Sequence, residues 1–191
     1  MYKSNRQRAN LKSQFKNYGE YLDSLEMKAQ IKPFEPLYFE RISQLTNKSN
    51  QFNLTTLRLT ENEIEKISNN KRYLTFYGKL TDKFGDNGIV SLVIGEILDD
   101  VLHIRLWLMS CRVLKRDFEL AMLDRLIEAA ITMKLSCIIG YYFRTEKNRM
   151  VSEFYGTHGF KKISEDDKGN TVWKYEINTP YQKSNQHICV E

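Results

Sequence analysis

The chain has 191 residues, 41% of them hydrophobic, enough to bury the core of one domain, and no apolar run approaches the length of a bilayer span. Cys111, Cys137 and Cys189 are an odd set without CxxC spacing, which argues against a disulfide framework or zinc cluster and leaves no metal expected. The formal charge of +5 comes from Lys3, Arg6, Arg8, Lys12 and Lys16, all before the first acid, Glu20; the remainder balances, so neither nucleic acid nor membrane is expected as a partner. The polar opening MYKSNRQRAN lacks the apolar core of a signal peptide, and a cytoplasmic protein is predicted.

Phe15, Tyr18, Leu22 and Leu25 recur at helical spacing, which predicts a helix over residues 15–27. Pro33 and Pro36 force extended backbone, so residues 31–37 are read as a connector and residues 1–37 as a helical arm and linker. Phe39, Ile42 and Leu45 mark a short helix. The polar segment 47–53 favours turns, and residues 54–59 alternate as a strand does. This junction has two readings. It is a plain turn, or Lys48, Asn50, Gln51, Asn53, Thr55, Thr56 and Arg58 form a polar-ligand site, because their hydrogen-bonding capacity exceeds what a connection needs.

Thr60 and Glu63 have capping-box spacing and open a helix over ENEIEKISNN. Residues 73–80 and 88–98 read as a hairpin closed by TDKFGDNG. Asp82, Asp86 and Asn87 lie on that loop, where carboxylates serve turn chemistry or, as a pair, a general base. Residues 101–109 form a strand whose alternation puts His103, Arg105 and Trp107 on one face and Leu102, Ile104, Leu106 and Leu108 on the other.

A short basic turn then opens onto a long amphipathic helix over residues 118–133. A helix amino terminus presents unpaired N–H groups and the positive end of the macrodipole, so the junction is a candidate anion site. The strand over residues 136–142 completes a β-α-β crossover and predicts a parallel or mixed sheet. TEKNRMVSEFYGTHGF reads as a helix closed near Gly156 to Gly159, residues 160–163 and 171–177 as a second hairpin, and residues 179–191 as a polar tail.

This order of elements resembles the GNAT acyltransferase fold, an α/β architecture with a mixed, mostly antiparallel sheet and helices on both faces, here over residues 38–178. Arg112-Val113-Leu114-Lys115-Arg116-Asp117 lies where that family carries Arg/Gln-x-x-Gly-x-Gly/Ala, and Asn148, Tyr155 and Gly159-Phe160 match its later motif. The strings RISQLTNKSNQFNLTT, KFGDNGIVSLVI, SCRVL and TEKNRMVSEFY are similar to the C-terminal half of FkbH-like proteins, which supply glyceryl units to acyl carrier proteins. The haloacid dehalogenase-like half of that family has no counterpart here. The resemblance therefore implies an acyl carrier protein and a separate haloacid dehalogenase-like protein as partners.

The resemblance further implies acyl transfer from acyl-coenzyme A or a phosphopantetheine thioester to a small polar acceptor. The donor would be held by Met109, Arg112, Val113, Leu114, Lys115, Arg116, Asp117 and Asn148, with main-chain N–H groups near residues 109–111 polarising its carbonyl. Tyr155 corresponds to the acid, and Asp82, Asp86 or a water held by segment 47–53 would be the base. Cys111 is either a buried structural thiol or a covalent carrier of the acyl group. Lys115 and Asp117 replace glycines, and Asp117 is predicted to cap the helix with its carboxylate, taking donors a phosphate would need. The alternative is a non-catalytic module that binds a carrier protein or its acyl thioester, with Lys115, Arg116 and Lys147 meeting acidic residues.

Overall fold

The computed structural model describes residues 2–191, with side chains from residue 6 onward apart from that of Ala9. Two helices, α1 (Tyr2–Lys12) and α2 (Tyr18–Asp23), lead into β1 (Met27–Lys32). The periodicity over residues 15–27 is thus helical for only part of its length. Asn17 Oδ1 accepts the Gly19 N–H at 2.8 Å to start α2, and Glu26, left-handed at φ 52°, separates it from the strand. Met27, Ala29 and Ile31 then point inward while Lys28 and Lys32 point outward, the period of two of a strand.

The helices α3 (Phe39–Lys48) and α4 (Glu61–Ser68) flank the two-residue β2 (Phe52–Asn53). Thr60 and Glu63 form the expected capping box on α4. The strands β3 (Tyr73–Asp82), β4 (Gly85–Leu98) and β5 (Val101–Met109) form an antiparallel meander. The helix α5 (Phe118–Thr132) crosses to β6 (Cys137–Tyr142), and α6 (Phe154–Thr157), β7 (Lys161–Glu165), β8 (Thr171–Glu176) and β9 (Ile188–Val190) follow.

The strand order is β7-β8-β6-β5-β4-β3-β1-β9, with β2 against β5; β5–β6 and β1–β9 are parallel and the other pairs antiparallel. Ile42, Leu45 and Ile64 of α3 and α4 pack on Leu92, Ile94, Leu106 and Leu108 of one sheet face. Phe118, Met122 and Leu126 of α5, with Phe154 and Tyr155 of α6, belong to the core on the other. Gly78 lets α5 sit close to β3, because a Cβ there would lie 2.6 Å from Met122 Sδ and Phe118 Cζ.

The segment read as a polar tail is anchored. Asp124, buried on α5, accepts the Tyr181 hydroxyl at 2.6 Å and the Ser184 and Asn185 N–H groups at 2.9 Å each, and β9 extends the sheet beyond β1. Both β1 and β9 therefore join the sheet from outside residues 38–178.

Two irregularities shape the centre. Ile94 pairs with Leu106 but Gly95 with Ile104, so Arg105 is an extra residue in β5. This bulge reverses the parity of the side chains after it. Trp107 joins Leu102 and Ile104 under α5, whereas Leu106 and Leu108 face α3 and α4, opposite to simple alternation. The second is that β5 and β6 pair only over residues 101–104 and 137–140. Past that point they diverge, and β2 enters the gap with Phe52 opposite Met109 and Asn53 opposite Leu108. Residues 54–59, predicted as strand, are not one; the pairing residues are the two that precede them.

Candidate functional site

The β5–β6 gap fixes what the edge of β5 offers. Leu54 N–H donates to Trp107 C=O at 3.0 Å, and Leu54 C=O accepts the Phe143 N–H just past β6 at 2.8 Å. Residues 52–54 thus fill the place beside β5 where the thioester was expected. Asn148 holds them there. Its Nδ2 donates to Asn53 C=O and Phe143 C=O at 2.9 Å each, and its Oδ1 accepts Thr145 N–H at 2.8 Å and the Tyr142 hydroxyl at 3.2 Å. All four hydrogen-bonding positions of this buried amide are used, so none is left for a cofactor.

Several other candidates serve the same scaffold. Asn53 donates to Ser49 C=O and accepts Thr56 N–H, and Thr55 donates to Arg105 C=O at 2.7 Å. Thr56 is left-handed at φ 57°. Arg58 donates to the carbonyls of Thr46 and Ser49 and to Asn50 Oδ1, closing the carboxyl end of α3. Tyr155 is fully buried, its ring against β6 where a Cβ on Gly140 would come within 2.5 Å. Among the described residues its hydroxyl meets no partner in good hydrogen-bond geometry, and burial drives its pKa far above the usual phenol value, against a smaller opposing influence of the nearby Tyr141 main chain. Tyr155 is thus enclosed in the core and does not line the cleft at the end of β5.

The loop acids are likewise placed elsewhere. Asp82 is buried, and its carboxylate accepts Arg8 Nε and Nη2 at 2.8 and 2.9 Å and Arg116 Nη1 at 2.8 Å. It is a structural counter-ion for two guanidiniums rather than a base. Arg116, whose Nη2 also donates to Arg112 C=O, is buried. Asp86 caps the exposed hairpin turn by accepting Gly88 N–H, and Asn87 Nδ2 donates to Leu80 C=O.

In the basic turn, Lys115 and Asp117 adopt φ 63° and 58°, the left-handed conformation that glycine favours. L-residues here hold a conformation that glycine adopts at lower cost. Asp117 makes no side-chain cap, contrary to expectation, because the left-handed backbone does not have the extended geometry of a capping residue. Glu119 stands in the first turn instead. Burial pushes its pKa up, its own main-chain N–H opposes this, and Asp117 adds to the rise. The Tyr18 hydroxyl donates to Lys115 C=O, so α2 covers the turn. Val113 lies in the core and Leu114 packs against it.

What the structure brings together is a cleft of about 530 Å³ at the end of β5. Helix α3 contributes Arg41, Leu45 and Lys48, spaced by four and three residues along one face. The segment into β2 contributes Ser49, Asn50, Gln51 and Phe52, and the end of β5 contributes Met109, Ser110, Cys111 and Arg112. Lys48, Asn50, Gln51, Met109, Cys111 and Arg112 were expected at the site; Arg41, Ser49 and Ser110 were missed. Cys111 is exposed, not a buried thiol. Ser110 Oγ accepts Arg112 Nε at 3.2 Å and orients that guanidinium. Its own N–H donates to Val90 C=O at 2.7 Å and Arg112 N–H donates to Ser110 Oγ, so these amides do not point into the cleft as an oxyanion hole. Burial lowers the pKa of Arg41, and the neighbouring Arg112 lowers it further.

Among the described residues no group of three His, Cys, Asp or Glu side chains is placed to hold a metal, and no helix is long and apolar enough to cross a membrane.

No family model and no curated protein sequence matches the chain. Solved structures do. The ribosomal-protein-S18-alanine N-acetyltransferase of Escherichia coli aligns with a TM-score of 0.59 at 12% identity over 83% of this chain and 99% of that one. Ard1 of Thermoplasma volcanium gives 0.60 at 15% over 78% and 98%, and the PaiA N-acetyltransferase of Thermoplasma acidophilum in complex with coenzyme A gives 0.55 at 14% over 78% and 99%. The architecture is the mixed α/β fold of the GNAT acetyltransferases.

Coenzyme A, which that fold implies, does not fit these residues in an extended pose beside β5. Residues 52–54 occupy the edge, Arg116 is committed to Asp82, and Asp117 and Glu119 place two carboxyl groups at the start of α5.

Proposed function

We propose that this chain is a GNAT-type acyltransferase that takes an acyl thioester at the cleft between α3 and the end of β5 and passes the acyl group to a small polar acceptor. The observation that carries the proposal is the exposed thiol of Cys111 in the wall of a cleft where expected donor-side and acceptor-side residues meet. The fold supports it, as does coenzyme A in the structures of the PaiA acetyltransferase and of Rv2747 from Mycobacterium tuberculosis.

With the β5 edge closed, the donor is presented from the open side of the cleft, on the phosphopantetheine arm of an acyl carrier protein. The Cys111 sulfur attacks the thioester carbonyl, the bond to the donor sulfur breaks, and the proton lost from Cys111 ends on the departing thiol. Attack of the acceptor on the Cys111 thioester breaks the bond between the acyl carbon and the Cys111 sulfur and releases the product, and the acceptor's proton returns to the Cys111 thiolate. Lys48, Asn50 and Gln51 orient the acceptor.

A second reading is a non-catalytic module that binds a carrier protein or its acyl thioester. It is favoured by the burial of Tyr155 and the engagement of the Ser110 N–H, which remove the expected acid and one of the expected oxyanion donors from the cleft. The test is to incubate the chain with acetylated carrier protein or acetyl-coenzyme A and weigh the intact protein. An acetyl adduct that is removed by hydroxylamine and absent in Cys111→Ala supports transfer. Binding of the charged carrier protein without adduct or turnover favours the module. Micromolar binding of acetyl-coenzyme A would overturn the argument from the closed β5 edge.

A further inference from the structure

Helix α2 is held at both ends by contacts that depend on a proton. At its start the Tyr18 hydroxyl donates to Lys115 C=O, and Tyr21 and Leu22 are buried in the same core as Phe118, so the helix lies on the turn that opens α5. At its end Asp23 Oδ1 lies 2.7 Å from Nδ1 of His187, which directly precedes β9. A helix of six residues has too few hydrogen bonds to persist alone, so α2 is helical only while it is docked.

Glu119 makes the first contact sensitive to pH. Its Oε2 is enclosed and meets no partner in good hydrogen-bond geometry among the described residues. Tyr18 stands beside it: the phenol's pKa is raised chiefly by burial and then by Tyr21, Asp117 and Glu119, while Arg116 opposes them. Arg8 and Arg116 are engaged by Asp82, Lys12 Nζ lies 5.0 Å from the centre of the Tyr18 ring, and Asp117 on the same turn resists ionisation of Glu119. An ionised carboxylate with one enclosed, unpartnered oxygen is costly, whereas the protonated form has no charge to desolvate.

The second contact has the same sign. The His187 imidazole is a charged partner for Asp23 only when protonated, and histidine changes charge between pH 5 and 8. The Asp23 side chain is 64% exposed, so this pair is the weaker of the two contacts.

We propose that α2 is a proton-dependent cover on the β5–α5 turn, docked while Glu119 and His187 hold their protons and released as they lose them. For Glu119, docking is unopposed below the ordinary carboxyl value of 4.5 and weakens as pH rises towards the raised value that burial imposes. The covered turn runs back through Arg112 to Cys111 in the cleft wall, and Arg116 Nη2 donates to Arg112 C=O, so the cover bears on the cleft. The inference stands whether or not that cleft transfers an acyl group.

Hydrogen exchange of the full chain between pH 5 and 8, corrected for the intrinsic pH dependence of exchange, tests it. The N–H groups of Tyr21, Ser24, Leu25 and Glu26, bonded to carbonyls within residues 17–23, report on α2. One proton released on opening makes their protection fall about tenfold per pH unit over part of that range, while the β3–β5 meander stays protected. Glu119→Gln, neutral at every pH, should remove that slope and keep α2 protected at pH 8. His187→Gln should lower protection at pH 5 by about threefold, the size of a part-exposed ion pair. Tyr18→Phe, which loses the bond to Lys115 C=O, should lower protection equally at every pH. Protection of α2 that does not change with pH in wild type overturns the inference, as does a slope that survives in both Glu119→Gln and His187→Gln. A slope that survives in Glu119→Gln alone overturns the part assigned to Glu119. Parallel loss of protection in the meander would mean global unfolding rather than release of α2, and would overturn the proposal as well.

Discussion

Asn148 Nδ2 donates to the main-chain carbonyl of Asn53 at 2.9 Å across 95 residues of sequence, and this bond ties the wedge of residues 52–54 to the turn after β6. The same side chain bonds Phe143 and Thr145, so it fastens the wedge and the far wall of the gap together. Asn148→Ala would take this partner from two carbonyls, one N–H and the Tyr142 hydroxyl. The expected cost is about 3 kcal/mol, read from the denaturation midpoint. Hydrogen exchange should also accelerate at residues 52–55 more than elsewhere. Unchanged exchange there would mean that the wedge is held by its pairing with β5 alone.

Asp82 and Asp86 sit four residues apart at the tip of one hairpin, yet they should behave oppositely. Asp82 neutralises two guanidiniums whose side chains are 9% and 7% exposed. Asp82→Ala leaves both charges buried, and a loss of about 4 kcal/mol is expected in chemical denaturation. Asp86 is exposed and accepts one turn N–H, so Asp86→Ala should cost less than about 1 kcal/mol. Equal effects from the two would contradict the placement of Asp82 as a buried counter-ion.

These two aspartates also show what the sequence made legible. The order of the large elements was readable because their apolar periods are long: α3, α4, the β3–β4–β5 meander, α5, β6 and the last hairpin stand where the pattern put them, whereas the strand expected between α3 and α4 does not. The edges were not. MKAQIK alternates as a strand but is short and follows a helical period, and Ile188–Val190 is a strand only because β1 lies beside it. The parity of Trp107 was misread because a bulge at Arg105 leaves no mark in composition. Around the cleft, Lys48 and Gln51 were named for their hydrogen-bonding capacity and Cys111 and Arg112 through the family resemblance, and the structure brings the four together. Arg41 was hidden by the ordinary appearance of a cation on an amphipathic helix, and the commitment of Asn148, Arg116 and Asp82 to internal partners depends on contacts distant in sequence.

His103 gives a pH dependence with a definite sign. Its ring Nδ1 lies 2.8 Å from the Tyr141 hydroxyl, and burial lowers its pKa below 6.5, with Arg105 adding to this and Glu96 opposing it. Between the folded pKa and 6.5 the unfolded chain binds more protons than the folded one, so stability rises with pH across that window and is lost as pH falls through it. Melting curves between pH 5 and 8 should show this slope in wild type and a smaller one in His103→Gln. A slope that is identical in the variant would assign it to other groups.

Lys115 and Asp117 separate two explanations for a poor coenzyme A fit, the altered turn and the closed β5 edge. Both residues are left-handed, at φ 63° and 58°, where an L-residue costs about 1 kcal/mol relative to glycine, an advantage that glycine's greater freedom in the unfolded chain largely cancels. The double variant Lys115→Gly, Asp117→Gly should therefore fold with stability within about 1 kcal/mol of wild type. It would also restore the glycine spacing and remove one carboxylate from the start of α5. Coenzyme A should still fail to bind it in a calorimetric titration, because residues 52–54 remain paired with Trp107, Leu108 and Met109. Adding Asn148→Ala to the double variant loosens that pairing, so weak binding appearing only in the triple variant would identify the wedge as the main barrier. Binding already present in the double variant would place the barrier in the turn.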